Sequence, residues 1–187
     1  MQRQMEETTK ELEEKEYKEQ WERAQNFNKQ MDTCSPYEDA FGICDGEMEQ
    51  TEYWKILNVS GDGIMGYLSI PKINVRLSIY HGTKEEVLQT GVGHLNGTSL
   101  PVGGEGTHCT LVAHRGLPGA RLFTDLDQIE EGERFYIHIL DQTLAYEVCE
   151  ILPMVDKTDR EAITKALAIR EGEDLVTPVS YTHLRAH

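Results

Sequence analysis

A mainly β domain, barrel or sandwich, carried behind an α-helical arm is the fold class this sequence predicts, and three observations predict it. From Tyr53 onward, short apolar runs are separated by Gly, Asn, Asp and Pro, the punctuation of many short strands. Ahead of them, Tyr17, Trp21, Ala24, Phe27 and Met31 recur at steps of three or four, which lines one face of a helix over residues 5–31. The length, 187 residues with 39% hydrophobic content, suits one domain with an appendage.

The other face of the arm is rich in Glu and Lys and reads as solvated surface. Asp32, Ser35 and Pro36 end the helix. Residues 33–52 form an irregular acidic stretch without a period. Residues 64–73 and 75–80 read as strands, and Pro71, which has no N–H, confines the end of the first to an edge or bulge. Residues 83–92 fit a short helix in which Thr83 is the N-cap and Glu86, three positions on, completes a capping box. Strands follow at 107–113, 134–140 and 143–154. Residues 159–169 are a helical turn or a long connection, and 174–177 begin one more strand. There is no internal repeat and no low-complexity tract.

The formal net charge is −15, and residues 1–50 hold 14 of the 33 acidic and 6 of the 18 basic side chains. So acidic a chain repels phosphate backbones, which excludes nucleic acid as a natural partner. No run approaches the ~18–20 apolar residues of a membrane helix, and Met1 is followed at once by polar and charged residues, unlike a secretory leader. The four cysteines, Cys34, Cys44, Cys109 and Cys149, form no C-x-x-C pair and have no histidine cluster at metal spacing, so neither a metal site nor a cofactor is expected. Cys34 and Cys44 could close a small loop in an oxidising compartment, but four free or buried thiols is the simpler reading.

The informative strand ends in Leu111-Val112-Ala113-His114-Arg115-Gly116. Alternation puts Cys109, Leu111 and Ala113 on one face and Thr110 and Val112 on the other. His114 falls where the strand gives way to Gly116-Leu117-Pro118-Gly119. A histidine aimed outward from a strand end suits acid/base work, although a lone histidine is more often a surface or half-buried residue with no task. His81, His94, His108 and His138 are given no role.

Residues 107–118, Thr-His-Cys-Thr-Leu-Val-Ala-His-Arg-Gly-Leu-Pro, continuing to Leu122-Phe123-Thr124-Asp125-Leu126-Asp127, resemble the histidine segment of class C (pilin-type) sortases. Gly63-Ile64-Met65-Gly66-Tyr67 running into Ile70-Pro71-Lys72-Ile73 is similar to the opening strand of that family. Ile79-Tyr80-His81-Gly82-Thr83, Gly91-Val92-Gly93-His94-Leu95 and Thr98-Ser99-Leu100-Pro101-Val102-Gly103-Gly104 match it in order and spacing. The resemblance covers about residues 53–177. It implies a closed sortase β-barrel with an N-terminal helical arm. It further implies a transpeptidase in which a cysteine attacks the threonine carbonyl of an LPxTG-like sorting signal, a histidine handles protons, and an arginine stabilises the oxyanion or orients the substrate. A pilin lysine or cell-wall amine then resolves the thioester. His114 matches the family histidine; Arg115 belongs to the same motif but is not the catalytic arginine. The family implies anchoring at the extracellular face of a Gram-positive cell membrane. It also implies a lid in the arm, an Asp-Pro-aromatic tripeptide whose nearest match is Asp39-Ala40-Phe41, with Ser35-Pro36-Tyr37 as a weaker candidate.

The chain departs from the family after Asp174-Leu175-Val176-Thr177. There the pattern calls for a strand reading Thr-Leu-x-Thr-Cys, with the arginine on the next strand. Tyr181 stands where the cysteine is expected, and residues 178–187 resemble the translated end of a sequencing-library transposon adapter. The expected organisation is therefore an arm and lid over 1–52, a truncated barrel over 53–177 and a foreign tail over 178–187, with neither nucleophile nor catalytic arginine in this chain. Arg185 is not read as that arginine, and Cys109 and Cys149 read as structural. The alternatives are a non-catalytic β-barrel binding module or pseudo-sortase, and a different cysteine hydrolase pairing Cys149 with His114.

Overall fold

The apolar stripe of the arm becomes α1 (Gln2–Gln30) in the computed structural model, which describes residues 2–31, 50–156 and 158–181. Ala24 is fully buried, and Trp21 and Phe27 pack against the core. The Lys10–Glu14 and Lys15–Glu19 pairs lie on the solvated side. Asn28 fastens the helix to the domain: its Oδ1 accepts from the Leu100 N–H at 2.7 Å and its Nδ2 donates to the Leu100 carbonyl at 3.1 Å. One amide side chain thus satisfies a backbone pair that no strand serves. Asp39 and Phe41 of the expected lid, Cys34, Cys44 and Arg185 lie outside the described residues. Among those described, no helix is long and apolar enough to cross a membrane.

The short helix α2 (Glu52–Lys55), capped by the Thr51 side chain, leads into the sheet. Seven strands follow: β1 (Ile64–Ile70), β2 (Val75–His81), β3 (Val92–His94), β4 (Thr107–His114), β5 (Arg134–Ile139), β6 (Gln142–Glu147) and β7 (Asp174–Tyr181). Their order in the sheet is β6-β5-β1-β2-β3-β4-β7, with β2/β3 and β4/β7 parallel and the other pairs antiparallel. The sheet curls into a nearly closed barrel. Its two end strands meet where the Tyr146 hydroxyl of β6 donates to Asp174 of β7 at 3.0 Å. Leu68, Ile79, Leu111, Ile137 and Phe123 fill the interior, each fully buried. β1 and β5 approach closely at Gly66: a Cβ there would lie 2.1 Å from the His138 carbonyl oxygen.

Several boundaries differ from the expectation, each for a local reason. β1 stops at Ile70 because Pro71 opens a 3-10 turn that closes on Asn74 at φ 52°. The helix expected at 83–92 is α3 (Glu85–Thr90). Lys84 is its N-cap and no side chain caps it, so the Thr83–Glu86 capping box is not formed. Residue 92 belongs instead to β3, too short to show a period, which pairs with β2 and holds the preceding turn against itself: a Cβ on Gly93 would meet the Gly82 oxygen at 2.4 Å. β6 ends at Glu147, not near 154: backbone pairing runs one residue further, the Val148 N–H donating to the Glu133 carbonyl and the Val148 carbonyl accepting from the Gly132 N–H, both at 2.8 Å, and the partner chain then turns at Gly132, φ 86°. Ile151, Leu152, Met154 and Val155 beyond it are exposed. The last connection contains α4 (Arg160–Ala166), with Asp159 capping it through Ala162 N–H at 2.9 Å. β7 runs on to Tyr181, four residues past Thr177, although these residues lack side-chain alternation. Its pairing comes from backbone contact with β4, and Pro178 is tolerated because β7 is an end strand.

Candidate active site

β4 has eight residues, and its parity decides what each can do. Cys109, Leu111 and Ala113 turn into the core, each at most 2% exposed. His114 has the opposite parity, and α3 packs against the strand. The histidine is not left outward and solvated as the sequence suggested. It is the last residue of the strand and 1% exposed. Its carbonyl accepts from the Phe123 N–H at 3.1 Å, so both the ring and the backbone are held.

The ring is met by an acid. His114 Nε2 lies 3.1 Å from Glu85 Oε1 and 3.2 Å from Oε2, while the Glu85 side chain is 48% exposed. A nearly buried imidazole thus faces a half-exposed carboxylate at the first residue of α3. Glu85 was not singled out in the sequence, where Glu85-Glu86 reads as ordinary acidic residues in a first helical turn. Nothing local links it to a histidine 29 positions away. β4 and β7 pair in parallel from Thr107↔Asp174 to His114↔Tyr181, so the ends of the two strands coincide.

The remaining sequence candidates are dispersed. Arg115 is ion-paired with Asp127 at 3.3 Å. Cys109 lies on the core face, and burial pushes its thiol pKa up, away from thiolate. Cys149 follows β6 and is exposed. No cluster that could hold a metal occurs among the described residues.

Three histidines without an assigned role turn out to be structural. His81 sets Nδ1 2.8 Å from the Gly63 carbonyl and Nε2 2.8 Å from the Ile56 carbonyl, with Tyr53 and Trp54 against its ring. His94 Nε2 lies 2.9 Å from the Ser99 carbonyl, and its Nδ1 lies 2.8 Å from the Tyr53 hydroxyl, which accepts from the Gly82 N–H. His108 bridges the Ala168 carbonyl and Thr177 Oγ1, both at 2.7 Å. Desolvation lowers the pKa of all three, that of His94 to about 4.

Residues 68–179 match the Sortase domain family. Sortase D of Bacillus subtilis (strain 168) is 31% identical over 116 residues, 62% of this chain and 54% of that protein, so the chain spans about half the length of the curated relative it matches. Among solved structures, Streptococcus pneumoniae sortase C superposes with a TM-score of 0.76 at 37% identity, over 98% of this chain and 88% of the other. Actinomyces oris sortase C-1 gives 0.74 at 35% identity, over 89% and 88%.

Proposed function

This chain belongs to the sortase family, and from that premise we propose that it is the histidine-bearing part of a class C cysteine transpeptidase. The observation that carries the reading is the register of β4 with β7, in which His114 pairs with position 181. In the family pattern a cysteine closes that second strand. In-register residues of adjacent parallel strands share a face, about 5 Å apart, so a thiol at position 181 would stand beside the imidazole.

In the proposed reaction a cysteine thiolate attacks the threonine carbonyl carbon of an LPxTG-like sorting signal. The S–C bond forms, the C–N bond to the following residue breaks, and His114 gives its proton to the leaving amine. A pilin lysine or cell-wall amine then attacks the thioester, forming the amide, releasing the thiolate and passing a proton back to His114. An arginine on a further strand would stabilise the oxyanion. Asp39 and Phe41 would form the lid over this site. The setting is the extracellular face of a Gram-positive cell membrane.

With Tyr181 at the nucleophile position, the 187-residue chain should neither cleave nor transfer an LPxTG-like peptide. A Tyr181→Cys exchange tests the site. The introduced thiol should alkylate near pH 6 faster than Cys149, because a neighbouring imidazole promotes the thiolate, and adding His114→Ala should remove the advantage. A thioester on the unaltered chain, or an introduced thiol indifferent to His114, would overturn the reading. Tyr181 itself favours one second reading, a non-catalytic pseudo-sortase, and the same indifference of the new thiol would support it.

A further inference from the structure

We propose that Glu85 is the positioning residue of His114, fixing which ring nitrogen holds its hydrogen and how the ring is turned. The inference rests on the reading of His114 as the proton-handling residue. Its basis is one junction, where both carboxylate oxygens lie 3.1 and 3.2 Å from Nε2 of a ring that is 1% exposed. An ionised carboxylate only accepts hydrogen bonds, so Nε2 must donate. The neutral ring is then the Nε2–H tautomer, and Nδ1 is its basic nitrogen. Turning the ring over would sacrifice the bond in a site where little water is available to replace it.

The fold delivers this carboxylate from a rigid place. Glu85 is the first residue of α3, and α3 packs on both β3 and β4. Its backbone is therefore referenced to the strand that ends in His114. Its side chain, 48% exposed, leaves the carboxylate solvated while the imidazole is not. That asymmetry leaves the acid hydrated and suits it to act as an orienter, as the third group of a nucleophile–base–orienter arrangement does. Glu86, next in sequence, makes no such contact: its backbone carbonyl accepts from Thr90 Oγ1 at 2.9 Å.

The test reads the ring nitrogens directly by long-range 1H–15N correlation on the histidine-labelled 187-residue protein, at a pH where the ring is neutral. The wild-type chain should show His114 as Nε2–H, with an exchange-protected, downfield Hε2 resonance. Glu85→Ala should lose that resonance to exchange. Glu85→Gln, nearly isosteric, should move it upfield or lose it, and Glu86→Ala should leave it unchanged. Far-UV circular dichroism confirms that each variant is folded. An Nδ1–H ring in the wild type, or an Hε2 resonance unchanged in both Glu85 variants, overturns the proposal. This readout needs no reacting thiol, so its failure is distinct from failure of the transpeptidase reading. If the thiol introduced by Tyr181→Cys ignores His114 while Glu85→Ala removes Hε2, the reaction falls and the positioning contact stands.

Discussion

Acid should loosen this domain well before its carboxylates are protonated, and His94 is the main reason. The ring is fully buried, with Nε2 donating to the Ser99 carbonyl at 2.9 Å and Nδ1 accepting from the Tyr53 hydroxyl at 2.8 Å. Both bonds are satisfied by the neutral tautomer. A second ring proton would have to enter a desolvated site facing a hydroxyl already engaged by the Gly82 N–H at 3.0 Å. Burial accordingly holds the His94 pKa at about 4, against 6.5 for an ordinary histidine. Between these values the unfolded chain binds a proton that the folded chain refuses, so stability rises with pH. The contribution is complete above about pH 6.5 and is lost as pH falls towards 4. At about 1.4 kcal/mol per pH unit, the loss is about 3 kcal/mol, a large share of a typical domain's stability. His81 and His108, lowered by the same desolvation, add in the same direction. Urea denaturation followed by tryptophan fluorescence at pH 7.5, 6.5, 5.5 and 4.5 measures the slope. His94→Asn should lower stability at pH 7.5 and flatten the fall below pH 6.5. A wild-type stability that stays level from pH 6.5 to 4.5, or a slope untouched by His94→Asn, would refute the reasoning.

Gly66→Ala should cost about 1–3 kcal/mol or more, read as a lower melting temperature, because the new methyl would sit 2.1 Å from a backbone oxygen of the paired strand; an unchanged melt would contradict the close β1–β5 approach. In native buffer a thiol reagent should modify Cys149, which is exposed, and spare Cys109, which is buried and shifted away from thiolate, until denaturant is added. If reaction at Cys149 also responded to His114→Ala, the hydrolase pairing of those two residues would regain its standing.

The parts of the fold legible in the sequence were those carried by local periodicity. The step of three or four in α1 and the alternation of Cys109, Leu111 and Ala113 each describe which side of an element is apolar, and burial follows directly. Boundaries were less legible, because they depend on partners. β6 stops close to where the chain ahead of β5 turns at Gly132, and β3 exists only because β2 and β4 flank it. Thr83 and Glu86 had the spacing of a capping box, but the preceding turn is pressed against β3 and the helix begins later.

The sequence by itself determined a mainly β domain with a helical arm, the family, and His114 as the residue to watch, since each is written in contiguous residues. Only the tertiary structure decided what surrounds that histidine. Its burial depends on α3 packing over β4. Its acidic partner Glu85 comes from 29 positions away, and its neighbour at position 181 follows from the parallel pairing of β4 with β7. None of these has a local signature, because a contact across a sheet is set by strand order and register, which the spacing of residues along one strand does not encode.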